Sequence, residues 1–310
     1  MSEKLPNSFS LSAEVLRARA LGLPLVALES TVITHGLPYP QNLDLARQME
    51  DEVRDQGAVP ATIAVLDGKI CVGLNPTQLE RLANEADMLK ISSRDFAPAL
   101  AGKRSGGTTV SGTAFVAQRA GILVFATGGI GGVHRNAPFD ISADLTALSS
   151  LPILVVCAGA KAILDLPATL EKLETLGVPV VGYQTDDFPA FFSRSSGLKV
   201  NARAETAEEA AQIARAHWEL GLLSATLLVV PPPAEVALPR DEVEKAIQQA
   251  LAEAGPEVSG QAVTPYLLSR VSALTHGASL RANLSLLKNN ARVAAQVARY
   301  IYPPRHQAIA

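Results

Sequence analysis

Residues 125–161 hold the densest group of side chains in this sequence that could do chemistry. The segment contains a glycine-rich turn at 128–132, two aspartates, Asp140 and Asp144, and Lys161 behind an apolar run. Glycines let backbone amides approach an anion, aspartates bind divalent cations, and a lysine in an apolar setting can be a nucleophile. Together these groups predict an enzyme site for a phosphorylated carbonyl compound or sugar.

The glycine-rich turn follows the apolar run 122–127 and precedes His134 and Arg135. It lacks the last glycine of the dinucleotide-binding fingerprint, because His134 stands at that position, and no Gly-Lys-Ser/Thr sequence of a P-loop follows it. Two interpretations stay open. The turn is either a tight strand exit, where glycine accepts positive φ, or a place where the backbone lies against a ligand.

The two aspartates are four residues apart, which would put Asp140 and Asp144 on one face of a helix if the segment is helical. An aspartate together with Ser142 and water would suit Mg²⁺ or Mn²⁺, since these hard cations prefer oxygen ligands. The alternative is one aspartate that caps a helix and one that is solvated. The pair by itself does not decide between a metal site and a helix start.

Lys161 and Glu29 are each placed at the end of an apolar, strand-like run, 153–159 and 23–30 respectively. The carboxyl ends of parallel strands carry the sites of α/β proteins. Desolvation disfavours an ammonium group, and a neutral lysine amine can form a Schiff base; the alternative for Lys161 is an exposed residue at a helix start. Glu29 is either hydrogen-bonded to turn amides or used as an acid and base. Lys90 has a similar setting.

Short apolar runs alternate with amphipathic segments along most of the chain. This rhythm predicts an α/β protein with a largely parallel sheet covered by helices on both faces. The pair Asp67-Gly68 lies between two apolar runs and predicts a hairpin turn.

The C-terminal part of the chain, residues 239–302, is predicted to be mainly helical, with breaks at Gly255, Gly260 and Gly277. No repeat, low-complexity block or long linker divides the sequence. We therefore expect one domain over residues 1–310, with residues 1–22 as an N-terminal extension or helix.

Composition excludes several classes of protein. Hydrophobic residues make up 48% and charged residues 18%, which is typical of a well-buried globular chain. The net charge is −3 and no basic tract is present, so nucleic-acid binding is not expected. Cys71 and Cys157 lie in apolar runs and are predicted to be buried free thiols. No signal pattern or membrane-spanning apolar run is present, which predicts a soluble, cytoplasmic protein.

Taken together, the sequence resembles the pseudouridine-5′-phosphate glycosidase family, also called the indigoidine synthase A-like family. The resemblance covers nearly the whole chain, from about Leu23 to about Val297. It rests on motifs in fixed order at residues 27–42, 56–68, 90–95, 108–113, 125–135, 139–144, 155–161, 182–194 and 283–291.

The resemblance implies reversible cleavage of the C–C glycosidic bond of pseudouridine 5′-phosphate, giving uracil and ribose 5-phosphate. It also implies a divalent metal, usually Mn²⁺, an α/β/α sandwich and a homotrimer. Glu29 matches the family's proton donor. Lys161 matches its nucleophile, which would form an imine with ring-opened ribose 5-phosphate.

Further residues match the family's binding positions. Asp140 matches the metal position, although Asp144 is close enough to be a rival. The residues matching substrate contacts are Lys90, Val110, Ser142, Ala143 and Asp144. One departure is the loop 136–138, which is shorter than the family pattern.

Five polar residues are weaker candidates for contacts to phosphate or uracil: His134, Arg135, Asn283, Asn289 and Asn290. Asparagine is a poor helix former, so the pair at 289–290 inside a helical pattern is unusual. The alternative is an exposed polar face. For the function itself, the alternatives are a relative acting on another C-nucleotide or a pigment-pathway intermediate, and a non-catalytic ligand-binding relative. Loss of Lys161 or Glu29 would have favoured the non-catalytic one, and both are present.

Overall fold

The computed structural model describes residues 5–135, 137–255, 258 and 263–302. Asn136, in the loop noted above, and the predicted helix break at Gly260 lie outside the described residues. No helix within these ranges is long and apolar enough to cross a membrane.

Short strands supply the sheets. They are β1 (Phe9–Leu11), β2 (Leu25–Leu28), β3 (Val59–Leu66), β4 (Lys69–Val72), β5 (Leu89–Ile91), β6 (Gly106–Thr108), β7 (Val124–Ala126), β8 (Val133–His134), β9 (Ala137–Ile141), β10 (Leu154–Cys157), β11 (Leu164–Asp165), β12 (Val180–Tyr183), β13 (Ala202–Ala204) and β14 (Thr226–Val229).

Helices alternate with most of these strands and then dominate the C-terminal region. They are α1 (Ala13–Leu21), α2 (Gln41–Asp55), α3 (Pro76–Asn84), α4 (Phe96–Ala101), α5 (Val110–Arg119), α6 (Ala143–Leu148), α7 (Leu166–Thr175), α8 (Ala207–Glu219), α9 (Arg240–Glu253), α10 (Val263–Leu274) and α11 (Ala278–Ile301). A π-helical turn at Val32–Gly36 and a 3₁₀ turn at Ser93–Asp95 complete the set.

The large sheet has the strand order β1-β4-β3-β2-β7-β10-β14-β12-β13 across the described ranges, with β6 paired to β3 and β5 paired to β6. From β3 to β13 the neighbouring strands along this path are parallel. Only its β3 end carries antiparallel pairs, with β4 and β6. The predicted largely parallel sheet is therefore confirmed. A small antiparallel sheet has the order β11-β8-β9.

Helices cover the central strands. α11 packs on β2, β7 and β10 and also contacts α2 and α8, whereas α5 packs on β2, β3 and β7 and contacts α6. Because both faces of the sheet are covered, every residue of β2, β7, β10 and β14 is buried. This explains why these strands are continuous apolar runs without polar alternation.

The predicted hairpin between β3 and β4 is confirmed. Asp67 and Gly68 form its two-residue turn, and both have positive φ, 49° and 71°. A turn with two left-handed residues matches the twist of the strands it joins, and Asp-Gly accepts that conformation readily.

Side-chain caps set where two helices beside the site begin. α5 begins at Val110, because the Thr109 side chain accepts a hydrogen bond from the Gly112 amide and caps the helix. The segment from Asp140 to Asp144 is not one helix, so the condition under which the two aspartates would share a helical face is not met. Asp140 lies in β9, and Asp144 lies in the first turn of α6, since Ser142 caps that helix.

Candidate active site

The carboxyl ends of three neighbouring strands meet at the centre of the large sheet. β2 lies beside β7, and β7 lies beside β10, all in parallel. Glu29 is the first residue after β2, Thr127 is the first after β7, and Lys161 follows β10 after a short turn. The topology thus brings together an acid and a lysine that are far apart in the sequence.

The Glu29 carboxylate is buried and accepts hydrogen bonds from two hydroxyls. Thr127 Oγ1 donates to Oε1 at 2.6 Å, and Thr31 Oγ1 donates to Oε2 at 3.3 Å. Burial raises the pKa of Glu29 above its ordinary value of 4.5, against the opposing effects of the Lys161 charge and the Thr127 hydrogen bond. A carboxyl group with a raised pKa can give and take a proton closer to neutral pH.

The turn that presents Lys161 is fixed by its backbone. The Lys161 amide donates to the Ile130 carbonyl at 3.1 Å, and the Ile130 amide donates to the Gly159 carbonyl at 3.0 Å. Gly159 has a φ of 82°, and a Cβ there would lie 2.5 Å from the Pro189 carbonyl oxygen, so the turn requires glycine. Lys161 is half-buried and does not begin a helix, which removes the exposed helix-start interpretation.

Arg135 holds the residues that follow Lys161. Its guanidinium donates to the carbonyls of Ala162 and Leu164 at 2.9 and 3.1 Å. The same guanidinium makes a bidentate ion pair with Glu244 of α9, in which Nη1 donates to Oε1 at 2.5 Å and Nη2 donates to Oε2 at 3.0 Å. Arg135 therefore links the lysine turn to the C-terminal helices, a structural role that its sequence position alone did not reveal.

Lys90 completes the charged centre of the site. Burial and the neighbouring Lys161 charge lower the pKa of Lys90, whereas the charges of Asp144 and Glu29 oppose that shift. Two lysines and two carboxylates, Glu29, Lys90, Asp144 and Lys161, thus lie within electrostatic reach of one another. Such a mixed group of charges suits proton transfer and the binding of an anionic substrate.

The glycine-rich turn owes its composition to close contacts. All four of its glycines are described, and none has φ in the left-handed region, so the positive-φ interpretation is wrong. A Cβ on Gly129 would lie 2.6 Å from the Phe191 ring, and one on Gly131 would lie 2.3 Å from Ser142 Oγ. The absence of side chains at these positions lets Phe191 and Ser142 pack directly against the turn.

Asp144 is a buried carboxylate that binds backbone amides from two elements. Oδ1 accepts from the Ser111 amide at 2.9 Å, and Oδ2 accepts from the Gly131 amide at 2.8 Å. Ser111 lies in the first turn of α5, where a negative charge is favoured by the helix dipole. Asp144 thus ties α5, α6 and the glycine-rich turn together beneath the site.

Asp144→Asn is expected to lower stability by about 2 kcal/mol, because an amide NH₂ replaces one acceptor and leaves a buried N–H without a partner. Differential scanning calorimetry should show a melting temperature roughly 4 °C lower. Asp241→Asn is the matched control, since Asp241 is also in a first helical turn but is exposed. Equal melting temperatures for both variants would contradict the assigned role.

Asp140 offers a different kind of carboxylate. Its side chain is 59% exposed, and Oδ2 lies 3.5 Å from Nδ1 of His134 on the neighbouring strand. Within the described ranges, no cluster of three or more His, Cys, Asp or Glu side chains could hold a metal. A cation bound here would rely on water and substrate for most of its ligands, as Mg²⁺-like ions commonly do. Asp140 fits that kind of site better than Asp144, whose oxygens are both hydrogen-bonded.

These groups line a cavity of about 760 Å³. Most of the residues expected from the sequence contribute to it, namely Glu29, Lys90, Val110, His134, Asp140, Ser142, Ala143, Asp144 and Lys161. α10 and α11 close one side of the cavity with residues that the sequence did not single out, including Thr264, Leu268, Ser269 and Leu287.

Asn290 is not among the described residues that line the cavity, so its predicted role as a direct substrate contact is not supported. It is fully buried on α11, and its Nδ2 donates to the carbonyls of Thr127 and Gly128 at 2.8 and 3.4 Å. Asn283, seven residues earlier on α11, does line the cavity. Residues seven apart lie on the same face of a helix about two turns apart, so the two differ in their position along α11 and not in direction.

Two residues of the site were missed by sequence reasoning. In the sequence, Thr127 is the last residue of an apolar run, and Phe191 lies in the motif at residues 182–194 without an assigned role. Phe191 lines the cavity with φ at 61°, a left-handed conformation that is unusual for a bulky residue. A polar residue directly after a buried strand was the signal that could have identified Thr127.

Two proteins of known name are similar to this chain over nearly its whole length. A pseudouridine-5′-phosphate glycosidase from Caldanaerobacter subterraneus subsp. tengcongensis is 54% identical over 291 residues, covering 93% of this chain and 95% of that protein. A protein of the same name from Myxococcus xanthus is also 54% identical over 291 residues, covering 93% of this chain and 96% of that protein.

Two solved structures share the fold. An indigoidine synthase A-like protein from Thermotoga maritima has a TM-score of 0.87 at 37% identity, over 96% of this chain and 98% of that one. The prealnumycin C-glycosynthase AlnA in complex with ribulose 5-phosphate has a TM-score of 0.89 at 42% identity, with the same coverage. The sequence model of indigoidine synthase A like proteins matches residues 14–300. The chain therefore belongs to the indigoidine synthase A-like family.

Proposed function

We propose that this protein is a pseudouridine-5′-phosphate glycosidase, which converts pseudouridine 5′-phosphate and water reversibly to uracil and ribose 5-phosphate. The observation that carries the proposal is the placement of Glu29 and Lys161 in one cavity, after the two strands β2 and β10 that flank β7. The names of the relatives from Caldanaerobacter and Myxococcus support the substrate.

The scissile bond explains why a lysine is needed. Ordinary glycosidases protonate a leaving oxygen between two carboxylates. In pseudouridine 5′-phosphate the bond joins C1′ of ribose to C5 of uracil, and a carbon leaving group has no lone pair to protonate. An amine on C1′ supplies the missing electron pair, because it can form a C=N bond as the C–C bond breaks.

In the proposed sequence, the neutral amine of Lys161 attacks C1′ while Glu29 gives its proton to the ring oxygen, and the C1′–O4′ bond breaks. The nitrogen of this adduct then loses a proton to the Glu29 carboxylate. Next, the nitrogen lone pair forms a protonated imine, the C1′–C5 electrons pass to uracil C5, and the proton that Glu29 has just taken up is delivered to C5. Water adds to the imine and releases ribose 5-phosphate with free Lys161.

The rest of the site has supporting roles in the proposal. Lys90, Val110 and the segment 142–144 line the cavity and would contact the substrate, and His134 would join them. Asp140 would hold Mn²⁺ or another divalent cation, together with water. Such a cation would supply charge stabilisation for the departing base.

Wild-type protein supplied with Mn²⁺ is expected to release uracil from pseudouridine 5′-phosphate, and a chelator should abolish that release. Asp140→Asn should weaken Mn²⁺ binding by roughly 10-fold or more, because a neutral amide is a poorer ligand than a carboxylate for a hard cation. Chromatography measures uracil, and calorimetric titration measures Mn²⁺. Asp186→Asn is the control, since the Asp186 side chain is exposed and its carboxylate pairs with Arg203. Activity that is indifferent to chelation would contradict the metal role.

A second candidate function is the joining of a pentose phosphate to another carbon acceptor. The likeness to AlnA, a C-glycosynthase crystallised with ribulose 5-phosphate, favours it. Incubation with ribose 5-phosphate and uracil separates the two. Formation of pseudouridine 5′-phosphate supports the glycosidase. If none forms although ribose 5-phosphate still forms an imine on the lysine, another carbon acceptor is supported.

A homotrimer and a cytoplasmic location complete the proposal. The family resemblance supports the homotrimer, and the small-molecule substrate suits a metabolic enzyme of the cytoplasm. Light scattering on the purified protein tests the first part, with an expected mass of three 32.5 kDa chains.

A further inference from the structure

The two oxygens of the Glu29 carboxylate face different surroundings. Oε2 contacts Thr31, which lines the cavity. Oε1 accepts the 2.6 Å hydrogen bond from Thr127, which is fully buried and is not among the described residues that line the cavity. Oε1 is therefore held from the protein side, whereas Oε2 is on the side where a substrate would lie.

Thr127 is itself fixed from two directions. Its amide donates to the Val156 carbonyl of β10 at 3.0 Å, which continues the strand pairing past the end of β7. Its carbonyl accepts from Asn290 Nδ2 of α11 at 2.8 Å. The pairing of Leu28 with Ala126 places Glu29 directly beside Thr127. The hydroxyl therefore meets the carboxylate from a rigid backbone.

Asn290 sits where an apolar residue would be expected. It is fully buried on an apolar face of α11, and its Oδ1 has no hydrogen-bond partner among the described residues. A buried polar atom without a partner is unfavourable. What the side chain contributes is the pair of N–H groups aimed at two carbonyls, since carbonyl oxygens can only accept. These two hydrogen bonds anchor the backbone that follows β7, including Thr127, to α11.

We propose that Thr127 is the positioning residue of Glu29, and that Asn290 holds Thr127 in place from α11. The inference rests on the proposed function, in which Glu29 transfers protons. With Oε1 held by the hydroxyl, Oε2 is the oxygen that gives and takes the proton. The C-terminal helices thereby take part in the chemistry without touching the substrate.

The hydrogen bond also acts on the ionisation of the carboxyl group. A hydroxyl that donates to a carboxylate stabilises its charged form, so this bond opposes the effect of burial on the pKa of Glu29. Removal of the hydroxyl should therefore raise that pKa further. A residue that only fills space would leave it unchanged, which gives the proposal a distinctive test.

The test compares Thr127→Val, which keeps the shape and removes the hydroxyl, with Thr127→Ser, which keeps the hydroxyl. Thr226→Val is the matched control. Thr226 is also a fully buried threonine of the large sheet, but it lies at the amino end of β14, and its hydroxyl has no partner among the described residues. Asn290→Leu tests the hydrogen bonds from α11 to the carbonyls of Thr127 and Gly128.

Thr127→Val is expected to lower kcat roughly 10- to 100-fold with little change in KM, because the carboxylate loses its orientation but not its substrate contacts. The pH dependence of kcat/KM should contain an ionisation that belongs to Glu29, identified because Glu29→Gln lacks it. In Thr127→Val the pKa of that ionisation should be higher by about one unit. Thr127→Ser should restore both quantities, and Thr226→Val should change neither. Asn290→Leu should act in the same direction as Thr127→Val with a smaller effect.

A stability titration separates failure of this inference from failure of the proposed function, because it needs no substrate. Above the pKa of Glu29, Thr127→Val should lower the melting temperature more in the wild-type background than in the Glu29→Gln background. Equal losses at every pH, or a Thr127→Ser enzyme as slow as Thr127→Val, would overturn the inference. Absence of uracil release by the wild type, with this coupling intact, counts against the proposed function alone.

Discussion

Replacement of Lys161 by methionine is expected to reduce uracil release by roughly 10⁴-fold or more, because removal of a nucleophile leaves only binding and electrostatic effects. Methionine keeps the length of the side chain and removes the amine. Borohydride reduction of the wild-type protein with ribose 5-phosphate should fix the sugar covalently on Lys161. Peptide mass spectrometry locates the modified residue, and the Lys161→Met protein should show no adduct there.

Lys90 is the alternative that this experiment must address. Its pKa is lowered by burial and by the Lys161 charge, and a neutral amine is what the reaction requires. An adduct on Lys90 with Lys161 unmodified would move the nucleophile to Lys90. Lys245→Ala is the control for nonspecific effects, since Lys245 is exposed on α9, and it should react and turn over like the wild type.

Replacement of Glu29 by glutamine is expected to lower kcat by roughly 10²- to 10⁴-fold while substrate still binds, because the amide cannot transfer a proton. The amide oxygen can still accept the Thr127 hydrogen bond, so the local structure should persist. Binding is measured by calorimetric titration and turnover by uracil release. Turnover close to that of the wild type would remove Glu29 from the proton-transfer role.

The same Glu29 variant is expected to be more stable than the wild type at neutral pH. Burial raises the pKa of Glu29 above 4.5 in the folded state, so the native protein holds a proton that the unfolded chain has lost. The stability from this group is therefore present below pH 4.5 and is lost as the pH rises through the folded-state pKa. The glutamine carries no charge at any pH and avoids that loss.

Melting temperatures of the two proteins from about pH 4 to about pH 8 measure this difference. The gap should grow in favour of the variant as the pH rises above 4.5 and should then level off. A gap that shrinks with rising pH would mean that Lys161 and Thr127 stabilise the carboxylate more than burial destabilises it.

Much of the fold could be predicted from local patterns. Short apolar runs predicted the buried parallel strands, because strands of a sheet covered on both faces need no alternation of polar and apolar residues. The Asp67-Gly68 pair predicted the hairpin turn, because few dipeptides accept two residues in the left-handed conformation. The spacing of Asp140 and Asp144 left open whether they share a helix, and the cap at Ser142, which starts α6 after Asp140, decided that they do not.

The sequence by itself determined which chemical groups are present, since Glu29, Lys90, Asp140 and Lys161 stand in recognisable motifs next to predicted strand ends. Only the tertiary structure decided how they are arranged. The order β2-β7-β10 places Glu29 beside Thr127 and within reach of Lys161, and the packing of α11 brings Asn290 against the same strand exit. The reason is physical. Residue type and periodicity are local properties of a chain, whereas strand order depends on pairings between distant segments, which no local pattern encodes.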